Sequence, residues 1–414
     1  MQILLQNRKL QTGLLLTLFA LSFCLRCPNA LIEGRFVAEE GCTFFHNAAT
    51  LPPLKALFIS FGGYLNITTN AATLIAYWSV PLRYAPFVTT FIGLLFQLCP
   101  LFLLLTAKDS WLDTFRVRIL ATLVLLLIPP SSELSLQSLH IQFQLVLSCA
   151  IIVALETQNN YQRWFRLGVL FLSPLSGLLV ISLLPVFALR VIVDKTWLRF
   201  EQFLTLTFGS FLQYCFFYIH LDARSYEFSF VNLLTILFSR NILVPFIGLH
   251  RFSNRITRML YDIRLHENIP YLACVIPIII LAFAIYLIIQ YPKARSAFWF
   301  ILSGLILLSV CIYGTLGGSI NIITAYAGER YIFCSQALFG LALLYFSVQL
   351  PFPKQRKIAN IFLGWLLIIG VFNFSHPPDN TIKGHNWPQE VKSWQQDHHH
   401  ALEVWPSGWF MILP

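Results

Sequence analysis

The run Ile269-Pro-Tyr-Leu-Ala-Cys-Val-Ile-Pro-Ile-Ile-Ile-Leu-Ala-Phe-Ala-Ile-Tyr-Leu-Ile-Ile-Gln290 decides the fold class. It holds no charged residue. Coiled as an α-helix it is long enough to cross the hydrocarbon core of a bilayer, roughly 30 Å thick. Working outward from it, runs of the same kind recur at about residues 11–31, 84–107, 115–130, 141–156, 166–175, 177–192, 200–218, 297–314, 331–350 and 358–373, so about eleven spans are expected. The fifth and sixth are short and meet at Ser173-Pro-Leu-Ser-Gly177, which reads as a tight turn or a pair of broken helices.

Composition agrees. Hydrophobic residues make up 57% of the 414, aromatic residues 15%, charged residues only 11%, and mean hydropathy is +0.70. Water-soluble domains carry roughly 25% charged residues, so a soluble globular fold is excluded. The net charge of +10 needs no nucleic-acid partner, because the positive-inside rule accounts for much of it. With the N-terminus inside, the inner loops carry Arg8/Lys9, Lys108/Arg116/Arg118, Arg163/Arg166, Arg190/Lys195/Arg199, Lys293/Arg295 and Lys354/Arg356/Lys357. Each is short and holds at least two basic residues. The expected fold is therefore all-α, a polytopic integral membrane protein with its N-terminus cytoplasmic and its C-terminus extracytoplasmic. Arg8-Lys9 ahead of Leu10–Leu25 has the order of a signal peptide, but no small-x-small cleavage site follows, so an uncleaved first membrane helix is expected.

Residues 1–373 then form a transmembrane domain and 374–414 an outer Trp-rich tail. The first outer loop, 32–83, is too long for a connector; its Leu54–Trp78 part mixes apolar residues with Gly62, Gly63, Tyr64, Asn66 and Thr68, which suits interfacial helices lying along the membrane. A second large outer segment, 219–268, carries Arg224, Arg240, Arg251, Arg255, Arg258 and Arg264. Arginine in excess on an outer face suits an anionic ligand or lipid headgroups. In the tail, Trp387, Trp394, Trp405 and Trp409 suit either stacking on sugar faces or an aromatic belt at the headgroups. His398-His399-His400 reads as a solvated turn. Of nine cysteines, a Cys27–Cys42 disulfide is conceivable if both face an oxidising compartment, but two free thiols are the favoured reading; most others fall in or beside apolar runs as small hydrophobes.

Chemistry concentrates in Glu33-Gly-Arg-Phe-Val-Ala-Glu-Glu-Gly-Cys-Thr-Phe-Phe-His46, straight after the first span. Adjacent carboxylates point in different directions on helix or strand, so only one of Glu39 and Glu40 need face a pocket. Partly desolvated there, it suits a general base; alone, the pair reads as solvated loop carboxylates. Glu133 and His140 flank an outer turn and suit sugar hydroxyls or a divalent cation (magnesium or manganese), although a lone acid and a lone histidine more often make structural hydrogen bonds.

The layout resembles the polytopic GT-C-type glycosyltransferases that take sugars from polyprenyl phosphates. Glu39-Glu40 in the first outer loop resembles their catalytic acid, and Pro129-Pro-Ser-Ser-Glu133 with Leu139-His-Ile-Gln-Phe143 their segment between spans three and four. Gly328-Glu-Arg-Tyr331 and Val404-Trp-Pro-Ser-Gly-Trp409 resemble a late Arg-Tyr and a C-terminal Trp-Pro motif. Asp-x-Asp is absent from these 414 residues, Glu stands where Asp is usual, and no stretch of them reads as a large soluble C-terminal domain. The resemblance implies an enzyme that moves a sugar from a polyprenyl-phosphate donor to a glycan, lipid or protein acceptor outside a bacterial inner membrane. Glu40, with Glu39 second, would be the base. Arg35, His46, Tyr64, Glu133, His140, Arg330, Tyr331, Trp405 and Trp409 would bind substrate, with Arg330 and Tyr331 meeting the leaving phosphate. No certain cofactor is implied. A flippase for lipid-linked saccharides would place ionisable groups near the bilayer midplane and show inverted repeats, and neither is visible. A glycan polymerase or ligase would lean on the outer arginines.

Overall fold

Side-chain periodicity sorts the helices of the computed structural model, which describes residues 7–156, 160–217, 226–291, 295–315, 318–375 and 386–414; Lys293 and Arg224 lie outside these. Helix α1 (Arg8–Arg26) starts on Asn7, whose side chain accepts the backbone N–H groups of Lys9 and Leu10. It buries Gln11, Leu15, Phe19 and Phe23 and leaves Leu10, Leu14, Leu18, Leu21 and Leu25 exposed. That three-to-four spacing on both faces is what a helix between protein and lipid shows.

Residues 32–83 fold into short pieces. A wide π-helical turn, Glu40–Phe45, leads through two short helices to a hairpin of β1 (Ser60–Phe61) and β2 (Tyr64–Leu65), then α2 (Ile67–Ser79). Helix α2 is inverted relative to a soluble helix: Thr68, Thr69, Asn70 and Thr73 are buried while Ile75 and Trp78 are exposed.

Then come α3 (Ala85–Thr106), α4 (Phe115–Leu127), α5 (Ile141–Ala154), α6 (Asn160–Ser176), α7 (Leu184–Asp194) and α8 (Trp197–Tyr214). They are followed by α9 (Phe230–Ile247, opened by a π-helical turn at Leu237–Leu243), α10 (Arg251–Leu265), α11 (Tyr271–Gln290), α12 (Arg295–Tyr313), α13 (Glu329–Gln349) and α14 (Pro353–Ser375). The chain ends with α15 (Trp387–Gln396) and the hairpin of β3 (Leu402–Val404) and β4 (Trp409–Met411).

Among the described residues, seven helices are long and apolar enough to cross a membrane: α1, Leu82–Thr106 (which includes α3), α9, α11, α12, α13 and α14. The protein is thus an all-α membrane protein by length and composition. Six of the seven match expected spans. The expected runs from 115 to 218 give shorter or more polar helices. Helix α5, with 14 residues, would measure about 21 Å. Thirteen of those residues are buried by protein, so its length answers to its neighbours and not to lipid.

Helix α9 is a correction: residues 219–268 were expected to be outer connector, and Ser239-Arg240-Asn241 conceals an apolar rod there. Its flanks nevertheless return to one end of the bundle, here called upper. The Asn232 side-chain amide donates to Ser319 Oγ (3.0 Å), and Leu249 N–H to Asn373 Oδ1 (2.8 Å). Beyond it, Thr257 Oγ1 accepts from Ala325 N–H (3.1 Å).

Helix α13 is the centre, with 78% of its most apolar window buried, against 22% for α11 and 17% for α14. Those two present Leu272, Ile279, Phe283, Phe362 and Ile368 outward. At the lower end Arg199 ties three helices together. Its guanidinium donates to the carbonyls of Leu155 (2.7 Å) and Ile152 (3.3 Å) at the close of α5 and pairs with Asp194 (2.9 Å), the last residue of α7. A cation on exposed C-terminal carbonyls is the favourable sense of the helix dipole.

The tail is built into the first outer segment. Phe36, Phe45, Trp387, Val391, Leu402, Val404 and Met411 share one small core, and Trp405 N–H donates to Phe36 O (3.0 Å). No disulfide joins Cys27 to Cys42: Cys27 closes α1 inside the main core, whereas Cys42 packs at the edge of the tail core.

Candidate functional site

Pro129-Pro130 cannot continue α4, since proline lacks the N–H and crowds the preceding turn, and the chain enters the loop Ser131–His140 at the upper end. Nearly every residue of this loop is buried. Buried backbone must find partners, and here they come from four directions. Arg35 Nη2 donates to Ser135 O (2.9 Å), Thr69 Oγ1 to Ser138 O (2.9 Å), and Leu136 N–H to Gln97 Oε1 (3.3 Å). From the other side Glu329 accepts from the Ser132 hydroxyl and from Glu133 N–H (3.1 Å).

Glu39 and Glu40 part here. Glu40 is fully buried: Oε1 accepts from Ser138 N–H (2.8 Å) and Oγ (2.6 Å), and Oε2 from Val37 N–H (3.1 Å). Burial pushes its carboxyl above the usual range, and these hydrogen bonds oppose the shift. Glu39 is half-buried and has no hydrogen-bond or ion-pair partner among the described residues. It lies close enough for its charge to act on Arg330.

Arg330 opens α13 and pairs with Glu133, Nη1 to Oε1 at 2.9 Å, while its backbone N–H reaches Oε2 at 3.2 Å. Its guanidinium lies 5.1 Å from the Tyr331 ring centre and donates through Nη2 to the phenol oxygen (3.4 Å). His140 is buried, with Nδ1 3.0 Å from Glu133 O. Burial and then the nearby Arg330 charge push it down to about 3, so the imidazole is neutral.

The structure therefore brings together Glu39, Glu133, His140, Arg330 and Tyr331, with Glu40 and Arg35 holding the back of the same loop. Tyr64 sits beside it, 3.5 Å from Gln142 Nε2. His46 and Trp405 fall elsewhere: His46 Nδ1 meets Ile412 O (2.6 Å), and buried Trp405 lies under the Arg35 guanidinium (5.2 Å). Both dock the tail. Trp409 stands exposed on β4.

Two further features escape sequence reasoning. Glu329, one residue before the expected Arg330, ties the loop to α13. A cleft at the upper end is lined by Arg26, Pro129, Ser131, Arg240, Glu329, Gln336 and Asn373, among others. Arg26 closes α1 and resembles any snorkelling helix-end residue, and nothing in sequence pairs it with Arg240. Among the described residues no three His, Cys, Asp or Glu side chains gather as a metal site. Glu133 is held by Arg330, and His140 faces a carbonyl, so the loop does not fit a divalent cation.

Of the outer arginines, Arg240 is sealed among the carbonyls of Ile322, Thr324 and Ala327, and Arg264 is held by Asn232. No family model matches this chain, and no curated protein or solved structure matches it either.

Proposed function

We propose that this protein is a membrane glycosyltransferase that moves a sugar from a polyprenyl-phosphate donor to a glycan, lipid or protein acceptor at the upper, extracytoplasmic end of its helices. The observation that carries this is Glu39: a half-buried carboxylate, unpartnered among the described residues, standing within the field of Arg330 beside a loop anchored on every side. Glu39 takes the proton of the acceptor hydroxyl as that oxygen bonds the sugar C1. The C1–O bond to phosphate breaks, and its electron pair leaves with the polyprenyl phosphate. Glu40, with both oxygens occupied, positions the loop instead. Tyr331 and the outward donors of Arg330 orient the sugar. No step passes through a metal.

The same reading sets the topology at about eleven passes, N-terminus inside. It is supported by the basic residues Arg163, Arg166, Arg190, Arg199, Lys354 and Arg356 around the lower end, while Glu39, Glu133 and the tail share the upper one. A bacterial inner membrane fits this arrangement.

The test is transfer by purified protein supplied with a panel of polyprenyl-phosphate sugars. Glu39→Gln is expected to lower transfer by about 10²–10⁴-fold with expression and folding unchanged. Wild-type rates in that variant would remove the base. A ligase that joins lipid-linked glycans would instead consume a preassembled oligosaccharide donor in the same assay.

A further inference from the structure

Arg26 and Arg240 come from helices more than two hundred residues apart in sequence and line the same cleft. Arg240 is 1% exposed. Its Nη1 serves the carbonyls of Ile322 (3.3 Å), Thr324 and Ala327 (2.6 Å), while its Nε is buried without a hydrogen-bond partner. Arg26 donates from Nη1 to Ser131 Oγ (2.7 Å) and lies 4.3 Å from the Phe374 ring centre; its Nε, too, is buried and unpartnered.

Neither guanidinium forms an ion pair among the described residues. The acid at hand, Glu329, already accepts from Ser132 and Glu133. Arg240, buried, and Arg26, half-buried, share the cleft with one carboxylate that other donors already hold, and cations withdrawn from water in this way gain from an anion that joins them. The forked donors of arginine match phosphate oxygens best. Of the residues that line the cleft, Leu249, Asn373 and Phe374 are half-buried, and Phe374 belongs to α14, the least buried of the spanning helices. An anion with an apolar chain can thus enter from the side.

We infer that the Arg26–Arg240 cleft is a binding site for a phosphate ester, with the phosphate between the two guanidiniums and its chain leaving past Phe374 and α14. This deepens the transfer reading and rests on it only in equating the ester with the donor or its released carrier. The two fail separately, because binding is read without transfer.

The experiment places the full chain in nanodiscs of zwitterionic lipid and titrates a prenyl monophosphate, its uncharged prenyl alcohol, and inorganic phosphate, with binding read as ligand-induced thermal stabilisation. The monophosphate is expected to bind and the alcohol not. Arg26→Gln is expected to weaken binding by about tenfold or more. Should Arg240→Gln fail to fold, Arg240→Lys keeps the charge while removing the fork, and is expected to weaken binding less than Arg26→Gln. Binding of the prenyl ester alone supports a lipid source; equal binding of inorganic phosphate supports the anion site with a free-phosphate source. Equal affinity in wild type and Arg26→Gln, or equal binding of the alcohol, overturns the proposal. Phosphate-ester binding without sugar transfer would leave this site standing and remove the transfer reading.

Discussion

Glu39 and Glu40 differ by one position and by almost everything else. Three donors converge on Glu40, so Glu40→Ala is expected to strand them at a cost of about 3 kcal/mol or more, seen as a large loss of thermal stability in detergent. Glu39→Gln should leave that stability within about 0.5 kcal/mol, and the pair of variants separates scaffold from base. His140 gives a pH test. Its folded value is lowered to about 3 from an unfolded 6.5. The unfolded chain therefore binds more protons in that window, and stability present above 6.5 is lost as pH falls toward 3. Glu40 has the opposite sign: with its value raised on folding, its term is fully present below the unfolded value and fades as pH rises through the folded one. Between pH 7 and pH 4 the melting temperature of wild type is expected to fall more steeply than that of His140→Gln, which lacks the histidine's contribution. The sequence showed that the two carboxylates must diverge. It held no sign of which was sealed, because Ser138, about a hundred residues away, makes that choice.

At the scale of elements, the loop Ser131–His140 and the helices that grip it were only partly legible. Apolar runs located α1, α3, α11, α12, α13 and α14 because lipid-facing and core positions are both hydrophobic there. Helix α9 stayed hidden because Arg240 looks like a loop residue, and only carbonyls from residues 322–327 make it a buried one. Residues 32–83 form short helices and a hairpin, since Thr and Asn mixed with Ile and Trp leave no face fit for spanning lipid. Gly93 supplies the sharpest test. A Cβ there would press on Gln137 O and lie 2.6 Å from Gln137 C, backbone atoms of the loop Ser131–His140 that cannot rotate away. Gly93→Ala is expected to cost about 1–3 kcal/mol and to lower any activity of the site by displacing Glu133. By contrast Gly364, with nothing near its missing Cβ, should accept alanine with stability unchanged or slightly raised. Thermal melts of the two variants side by side check both statements.

For the whole molecule, the shared core of first outer segment and tail is the constraint that links topology to function. Phe36 packs against Phe45 (4.7 Å between ring centres) and Trp387 (5.2 Å), and the Trp387 indole N–H reaches Leu82 O (3.3 Å), so the tail lies on the same side as Glu39 whatever the number of passes between them. Arg8, at the opposite end of α1, bonds Ala107 O and faces Asp113 at 3.8 Å, deep among the basic lower loops. If the lower end is cytoplasmic, as its lysines and arginines favour, Pro414 must be outside. A phosphatase active only outside the cytoplasm, fused after Pro414, is then expected to be active, and the same enzyme inserted after Lys195 inactive. Activity only after Lys195 would invert the molecule and put Glu39 and the Arg26–Arg240 cleft on the cytoplasmic face, where the donor would have to be made and used on one side. Activity at neither position would mean that the fusions do not report, which a cytoplasmic fluorescent reporter after Lys195 resolves. Deleting residues 386–414 should expose Phe36, Phe45 and Val88 and lower stability, since the first outer segment would lose half of its core. A truncated protein that melts with the full chain would show that the tail only leans on that segment, and would free Trp405 from any part in placing Arg35.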